Sequence, residues 1–122
     1  MPQQPTVGFI GFGLMGTPIA LKLQAAGYPM RVWGRTPHKL RPALAQGAEE
    51  AASPKHLAEE CDIVLLCVTD TNAVETVVFG ENGIAEGGRS GTVLVDHSSI
   101  KPDATRGFAA RIEAARGMHW LD

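Results

Sequence analysis

Ten residues near the N-terminus constrain this chain most: Val7-Gly8-Phe9-Ile10-Gly11-Phe12-Gly13-Leu14-Met15-Gly16. A short apolar run ends in Gly-x-Gly-x-x-Gly, and a helical pattern begins directly behind it. Gly11 is expected to make a tight turn after a strand. Gly13 would let backbone approach a pyrophosphate, and Gly16 would let the helix lie close on a sheet. The helix N-terminus then offers free N–H groups and a positive dipole end to phosphate. Phe12, Leu14 and Met15, set between the glycines, are counted with them as candidate cofactor contacts. The competing reading is a glycine-rich loop with no ligand. A bare match to so short a pattern is weak, and the strand before it and the helix after it favour binding.

The rest of the chain alternates strand and helix. Thr6 to Ile10 reads as the first strand. Met15, Ile19 and Leu23 recur at four-residue spacing, with Gly27 as a stop, which predicts a helix of about three turns. Lys22 and Gln24 fall towards its polar side. Met30 to Trp33 is a second strand, and Pro37 to Gln46 a helix with Pro37 at its first position and Gly47 after its end. Pro42 removes a donor inside that span, so a kink or a shorter helix is expected. Glu49 to Ala52 is a weak strand, and Ser53-Pro54 opens another helix.

Asp62 to Val68 is apolar after its first residue, as strands covered on both faces are. Thr69 or Asp70 is expected to cap the next helix, with Val74, Val77 and Val78 as its apolar stripe. Gly80 to Gly91 reads as loop, Thr92 to Asp96 as another strand, and Pro102 as the start of a helix whose Phe108, Ile112 and Ala115 share a face. Met118 to Leu121 is a last strand. The alternation predicts an α/β fold, a doubly wound parallel sheet of the Rossmann type. With 122 residues and no internal repeat or linker, residues 1–122 are expected to form one domain.

Charge and composition exclude more than they assign. A net charge of -2 gives no reason to expect nucleic acid or an anionic membrane as partner, and no apolar stretch reaches about 18 residues. The start Met1-Pro2-Gln3-Gln4-Pro5 lacks the regions of a signal peptide. Cys61 and Cys67 flank an apolar run without forming Cys-x-x-Cys. They read as small core residues of a reducing compartment, hence a cytoplasmic expectation. His38, His56, His97 and His119 lie far apart, so no metal site is expected.

Ligands of a doubly wound sheet sit beyond the C-terminal ends of its strands. The loop after the second strand, Trp33-Gly34-Arg35-Thr36, bears on the choice of cofactor. NAD sites usually carry Asp or Glu there to bond the adenosine ribose, and this loop has none. Arg35 can pair with a 2′-phosphate and Thr36 can hydrogen-bond it. At about 1.5–3 kcal/mol for a charged hydrogen bond, that favours NADP over NAD by roughly tenfold to a hundredfold. The alternative is a solvated loop arginine, which leaves NAD open. Val68-Thr69-Asp70 either ends a strand and caps a helix or also lines the cofactor cleft. Ser98-Ser99 either helps turn the chain towards Pro102 or sets a hydroxyl near the nicotinamide ribose or a substrate carboxylate. His97 is read as a bystander.

Together these residues resemble the 3-hydroxyacid dehydrogenase family, which includes 3-hydroxyisobutyrate dehydrogenase and tartronate semialdehyde reductase and is related to 6-phosphogluconate dehydrogenase and the imine reductases. Gly8 to Gly16 is similar to its opening signature, and Gly34-Arg35-Thr36 to its Asn-Arg-Thr, with Gly in place of Asn. Val77-Val78-Phe79-Gly80-Glu81-Asn82-Gly83 is similar to its loop after the fourth helix, and Asp96-His97-Ser98-Ser99 to its Asp-x-Ser-Thr. The resemblance implies hydride transfer between NADP(H) and a small 3-hydroxy acid or its semialdehyde. It also implies a substrate-binding Pro-Val-Ser-Gly segment, a general acid or base lysine in a Gly-x-x-x-Lys context and a helical domain, all beyond Asp122. Lys22, Lys39, Lys55 and Lys101 do not stand in that context. The expectation is therefore an N-terminal cofactor domain, with no catalytic residue of its own and no turnover alone. A small carboxylate substrate would belong to the parent enzyme, and a newly exposed apolar surface could drive homo-oligomer formation. An imine reductase domain and a non-catalytic dinucleotide-binding module are the alternatives.

Overall fold

Strand β1 (Val7–Ile10) lies at the centre of the molecule because both its faces are buried. Val7 and Phe9 project to one side of the sheet and Ile10 to the other, where they join two separate apolar clusters. In this computed structural model, which describes residues 4–68, 71–97 and 102–121, the later elements assemble around that strand. In chain order they are α1 (Gly16–Ala25), β2 (Met30–Trp33), a 3₁₀ turn (Pro37–Leu40), α2 (Arg41–Ala45), β3 (Glu49–Glu50), α3 (Pro54–Glu60) and β4 (Ile63–Leu66). Then follow α4 (Thr71–Phe79), α5 (Ile84–Gly87), β5 (Val93–Asp96), α6 (Pro102–Arg116) and β6 (His119–Leu121).

The six strands form one sheet in the order β3-β2-β1-β4-β5-β6, and every pairing is parallel. The order reverses between β1 and β4, whose residues pair in register from Val7 with Ile63 to Ile10 with Leu66. This is the strand order of the Rossmann-type doubly wound fold, and the crevice at the reversal is where such sheets bind ligands. Parallel strands need crossovers, and the crossover helices cover both faces. On one face Val7, Phe9, Val32 and Leu65 pack with Ala20 of α1, Leu40 and Ala43. On the other Ile10, Val64, Leu66 and Leu94 pack with Leu57 of α3, Val74 and Val78 of α4, Ile84 of α5 and Ile112 of α6.

Several local expectations are corrected. Pro37 to Gln46 is not one helix: the 3₁₀ turn runs to Leu40, and α2 starts at Arg41 with Pro42 in its first turn, where the missing N–H is tolerated. Glycine-rich residues 80–91 are not all loop, since α5 forms there against α3. Met15 is not part of the apolar stripe of α1; it precedes the helix as its N-cap and is more than half exposed. Phe108 and Ile112 are buried as expected, but Ala115 is exposed. Ser53 does open α3: its Oγ accepts from the His56 backbone N–H at 3.2 Å. Thr69 and Asp70, expected as the cap of α4, lie outside the described residues. No helix among the described residues is long and apolar enough to cross a membrane.

Candidate functional site

The turn after β1 shows why its glycines are needed. Gly11 has φ +107°, a conformation side chains rarely adopt, and a Cβ there would collide with the backbone carbonyl of Cys67 at the end of β4. The Cys67 N–H reaches back to the Ile10 carbonyl at 2.8 Å, so β1 and β4 stay paired at the point where the turn begins. A Cβ on Gly16 would collide with the Gly11 carbonyl, so the first residue of α1 is seated directly on the turn. Around Gly13, by contrast, nothing lies within 4 Å of a Cβ, and the residue is exposed. That is open space on the side from which a ligand would come. Thr17 N–H closes the first bond of α1 on the Gly13 carbonyl at 3.1 Å.

The N-terminus of α1 has no acidic residue in its first turn, and Met15 makes no side-chain cap. Its leading N–H groups and the positive end of its dipole are left for an anion. The cleft beside it holds about 210 Å³. That is below the roughly 300–1,000 Å³ usual for a whole small-molecule site. Gly11, Phe12 and Gly13 form its floor, and Trp33, Gly34, Arg35 and Thr36 one wall. Cys67 and Val68 lie at the end of β4, and Ala73 and Val77 of α4 face them. The 3₁₀ turn adds Lys39 and the fully buried Leu40, which anchors that turn to the core.

Among the described residues no Asp or Glu lines this cleft, while Arg35 and Lys39 both do. Both cations are exposed, and among the described residues neither forms an ion pair. The electrostatic character at the end of β2 is therefore that of an anion site. The thiol of Cys67 is pushed up from its ordinary range, first by burial and then by the nearby Asp96 carboxylate. It is a neutral wall group near neutral pH, without the thiolate a nucleophile needs.

The structure thus gathers Gly11, Phe12, Gly13, Arg35, Thr36 and Val68 of the sequence candidates around one cleft. The Phe12 ring is buried and packs 5.1 Å from that of Phe9. Leu14, Met15 and Gly16 do not line the cleft. Leu14 is fully exposed on the outside of the turn, and Gly16 is buried under it. Thr69, Ser98 and Ser99 lie outside the described residues. His97 is exposed, with its N–H on the Leu66 carbonyl at 2.8 Å. Cys67, expected in the core, is partly buried against it and also lines the cleft; Cys61 is fully buried as expected. Sequence reasoning missed Lys39, Trp33, Ala73 and Val77. For Lys39 a signal existed, since a 3₁₀ turn opened by Pro37 returns the residue three places after Thr36 to the same side. Among the described residues there is no group of three His, Cys, Asp or Glu side chains placed to hold a metal.

Comparison with known proteins agrees with this geometry. Over 113 residues the chain is 39% identical to the 2-hydroxy-3-oxopropionate reductase of Escherichia coli, covering 91% of this chain and 38% of the reductase. It is 34% identical over 122 residues to the cytokine-like nuclear factor N-PAC of Xenopus tropicalis, covering 100% of this chain and 23% of N-PAC. A solved structure of Psf3 in complex with NADP+ and 2-OPP superposes with a TM-score of 0.86 at 30% identity, covering 93% of this chain and 40% of that one. The chain therefore spans well under half the length of each of these relatives. Residues 6–122 match the family model described as the NAD binding domain of 6-phosphogluconate dehydrogenase, and the chain belongs to that family.

Proposed function

We propose that this chain is an NADP(H)-binding domain of an oxidoreductase that moves a hydride between the nicotinamide and a small 3-hydroxy acid or its semialdehyde. The observation that carries the cofactor choice is the end of β2, where Arg35 and Lys39 line the cleft and, among the described residues, no carboxylate does. Arg35 would pair with the 2′-phosphate as a planar fork, Lys39 would add a second positive charge, and the Thr36 hydroxyl would donate to a phosphate oxygen. The N-terminus of α1 and the Gly13 backbone would hold the pyrophosphate, and Val68, Ala73 and Val77 would shield the base and ribose from water. Thr69, Ser98 and Ser99 lie outside the described residues; by their place in the sequence, Thr69 would line the cleft through its backbone, and a Ser98 or Ser99 hydroxyl would reach the nicotinamide ribose or a substrate carboxylate. When bound, the nicotinamide supplies or accepts the hydride.

The reaction class is supported by the reductase among the relatives, and the 3-hydroxy acid substrate by the resemblance of the motifs. The cofactor domain itself is assigned binding, orientation and exclusion of water, and the chain is expected to bind cofactor without turnover. A second reading, a dinucleotide-binding module that catalyses nothing, is favoured by the match to N-PAC, whose name is that of a nuclear factor. The two share one cofactor site. Replacing Arg35 or Lys39 by Ala is expected to weaken NADPH binding by roughly tenfold to a hundredfold and to leave NADH binding nearly unchanged. Equal losses for both cofactors would contradict the 2′-phosphate assignment. A measurable reductase rate from the 122-residue chain would contradict the division of labour.

A further inference from the structure

We infer that Arg111, on the far side of α4 from the cleft, is a positioning residue for the dinucleotide; this rests on reading the cleft as its site. Ala73 and Val77 of α4 line the cleft. Glu75 and Phe79 stand two residues further along from each, about 200° around the helix, so they lie on its opposite side. Arg111 of α6 takes hold of both. Its Nη1 pairs with Glu75 Oε1 at 3.3 Å, and its guanidinium carbon lies 3.9 Å from the centre of the Phe79 ring. That ring also meets the ring of Phe108, one turn before Arg111 on α6, at 5.6 Å between centroids. Phe108 in turn meets Trp120 of β6 at 5.8 Å.

The core holds α4 in a different way. Val74 and Val78 are fully buried in the cluster on that face of the sheet. Burial of such a stripe is non-directional: it keeps the helix on the sheet without fixing its rotation or its slide along its axis. An ion pair and a planar cation over a ring each have a preferred geometry. Glu75 and Phe79, four residues apart, give Arg111 two such points on one face of α4. Turning the helix moves Ala73 and Val77 as much as it moves Glu75 and Phe79, so a hold at the back sets how the wall at the front meets base and ribose. The cations of the cleft are carried by the segment after β2 and not by α4, so this effect is the same for either dinucleotide. Arg116, on the same helix, makes another hold: its guanidinium donates to the Glu86 and Gly88 carbonyls at 3.3 Å and ties α6 to the end of α5.

The test is calorimetric titration of the full chain and its Arg111→Ala, Arg111→Lys, Glu75→Gln and Arg116→Ala variants with NADPH and with NADH, at one salt concentration and well below every unfolding midpoint. Thermal unfolding of each variant is followed alongside. Arg111→Ala is expected to weaken both dinucleotides by the same roughly threefold to tenfold, with the NADPH to NADH ratio within about twofold of the parent chain. Arg111→Lys keeps a charge for Glu75 and loses the plane over Phe79, and Glu75→Gln does the reverse. Each is expected to give a smaller loss of the same kind, which keeps the test available if Arg111→Ala does not fold. Arg116→Ala is expected to lower the thermal midpoint with both affinities kept. A parent chain that binds dinucleotide, together with Arg111 variants that bind both forms as tightly, would overturn the role of Arg111 and leave the cofactor reading standing. Equal affinity losses in Arg111→Ala and Arg116→Ala would overturn it in favour of a general loosening of α6. A loss confined to NADPH would overturn it in favour of a direct charge effect on the 2′-phosphate. Binding of neither dinucleotide by the parent chain would overturn both.

Discussion

A Cβ at Gly13 would meet nothing within 4 Å, whereas one at Gly11 or Gly16 would meet backbone. The three residues of one motif should therefore separate experimentally. Gly13→Ala is expected to fold with stability unchanged or raised by up to about 1 kcal/mol, and to lose roughly tenfold or more in dinucleotide affinity because the methyl stands where phosphate approaches. Gly11→Ala is expected to lose about 1–3 kcal/mol from backbone strain alone, before the collision with the Cys67 carbonyl is added. Urea unfolding and cofactor titration of both variants check this, and a Gly13→Ala chain with undiminished affinity would contradict the phosphate placement. The tight turn at Gly11 and the close seat of α1 at Gly16 were legible in the sequence, but the barrier that Cys67, at the end of the neighbouring strand, sets to a side chain at Gly11 was not, because it depends on the pairing of β1 with β4. Nor was Lys39, because its place in the cleft depends on the 3₁₀ geometry of Pro37–Leu40. Cys61 carries a pH prediction. Burial, opposed by Arg31 and Arg89 and aided by Glu60 and Asp62, pushes its thiol from 9.0 up to about 12. The unfolded chain releases that proton near pH 9 and the folded chain holds it. Its contribution is therefore complete below about pH 9 and lost as the pH rises towards 12. Urea midpoints measured from pH 8 to 10.5 should fall more steeply for the parent than for Cys61→Ala, and equal slopes would contradict the buried-thiol picture.

At the scale of elements, signals that repeat were readable and signals that occur once were not. The strands β1, β4 and β5 are apolar on both faces, and Val74, Val77 and Val78 of α4 are buried as their spacing requires. Helix α5 has four residues between glycines, too few to show a period, and it forms where tertiary packing on α3 and α4 supports it. Met15 obeys the four-residue spacing of α1 but stands before its first turn, so the spacing assigned it to a face it never reaches. Ala115 carries a single methyl and lies in the last turn of α6, where the apparent stripe has no burial behind it. Ser53 is the clearest local signal realised in full. Ser53→Ala is expected to cost about 1 kcal/mol by removing the acceptor for the His56 N–H. A thermal or urea midpoint equal to that of the parent chain would show that α3 is held by packing alone.

For the whole molecule, alternating strand and helix made the doubly wound sheet legible, since parallel strands joined by right-handed crossovers leave few topologies. The reversal between β1 and β4 then places the ends of three strands around one cleft, which no single motif specifies. The apolar side chains left outside are also a property of the whole: Leu14 and Met15 beside the turn and Leu121 on β6 are each more than half exposed. Self-association is expected at high concentration, read as a sedimentation mass that rises with loading. A monomeric mass at every concentration would contradict it. On the proposed reading, the cleft at the reversal binds a dinucleotide and the cations at its rim choose the phosphorylated form. Calorimetric titration of the chain with NADPH and, separately, with NADH at one fixed salt concentration tests it most directly. Binding of NADPH tighter by roughly tenfold to a hundredfold is the expected result. Equal or tighter NADH binding would contradict the role of Arg35 and Lys39, and binding of neither would contradict the cleft itself.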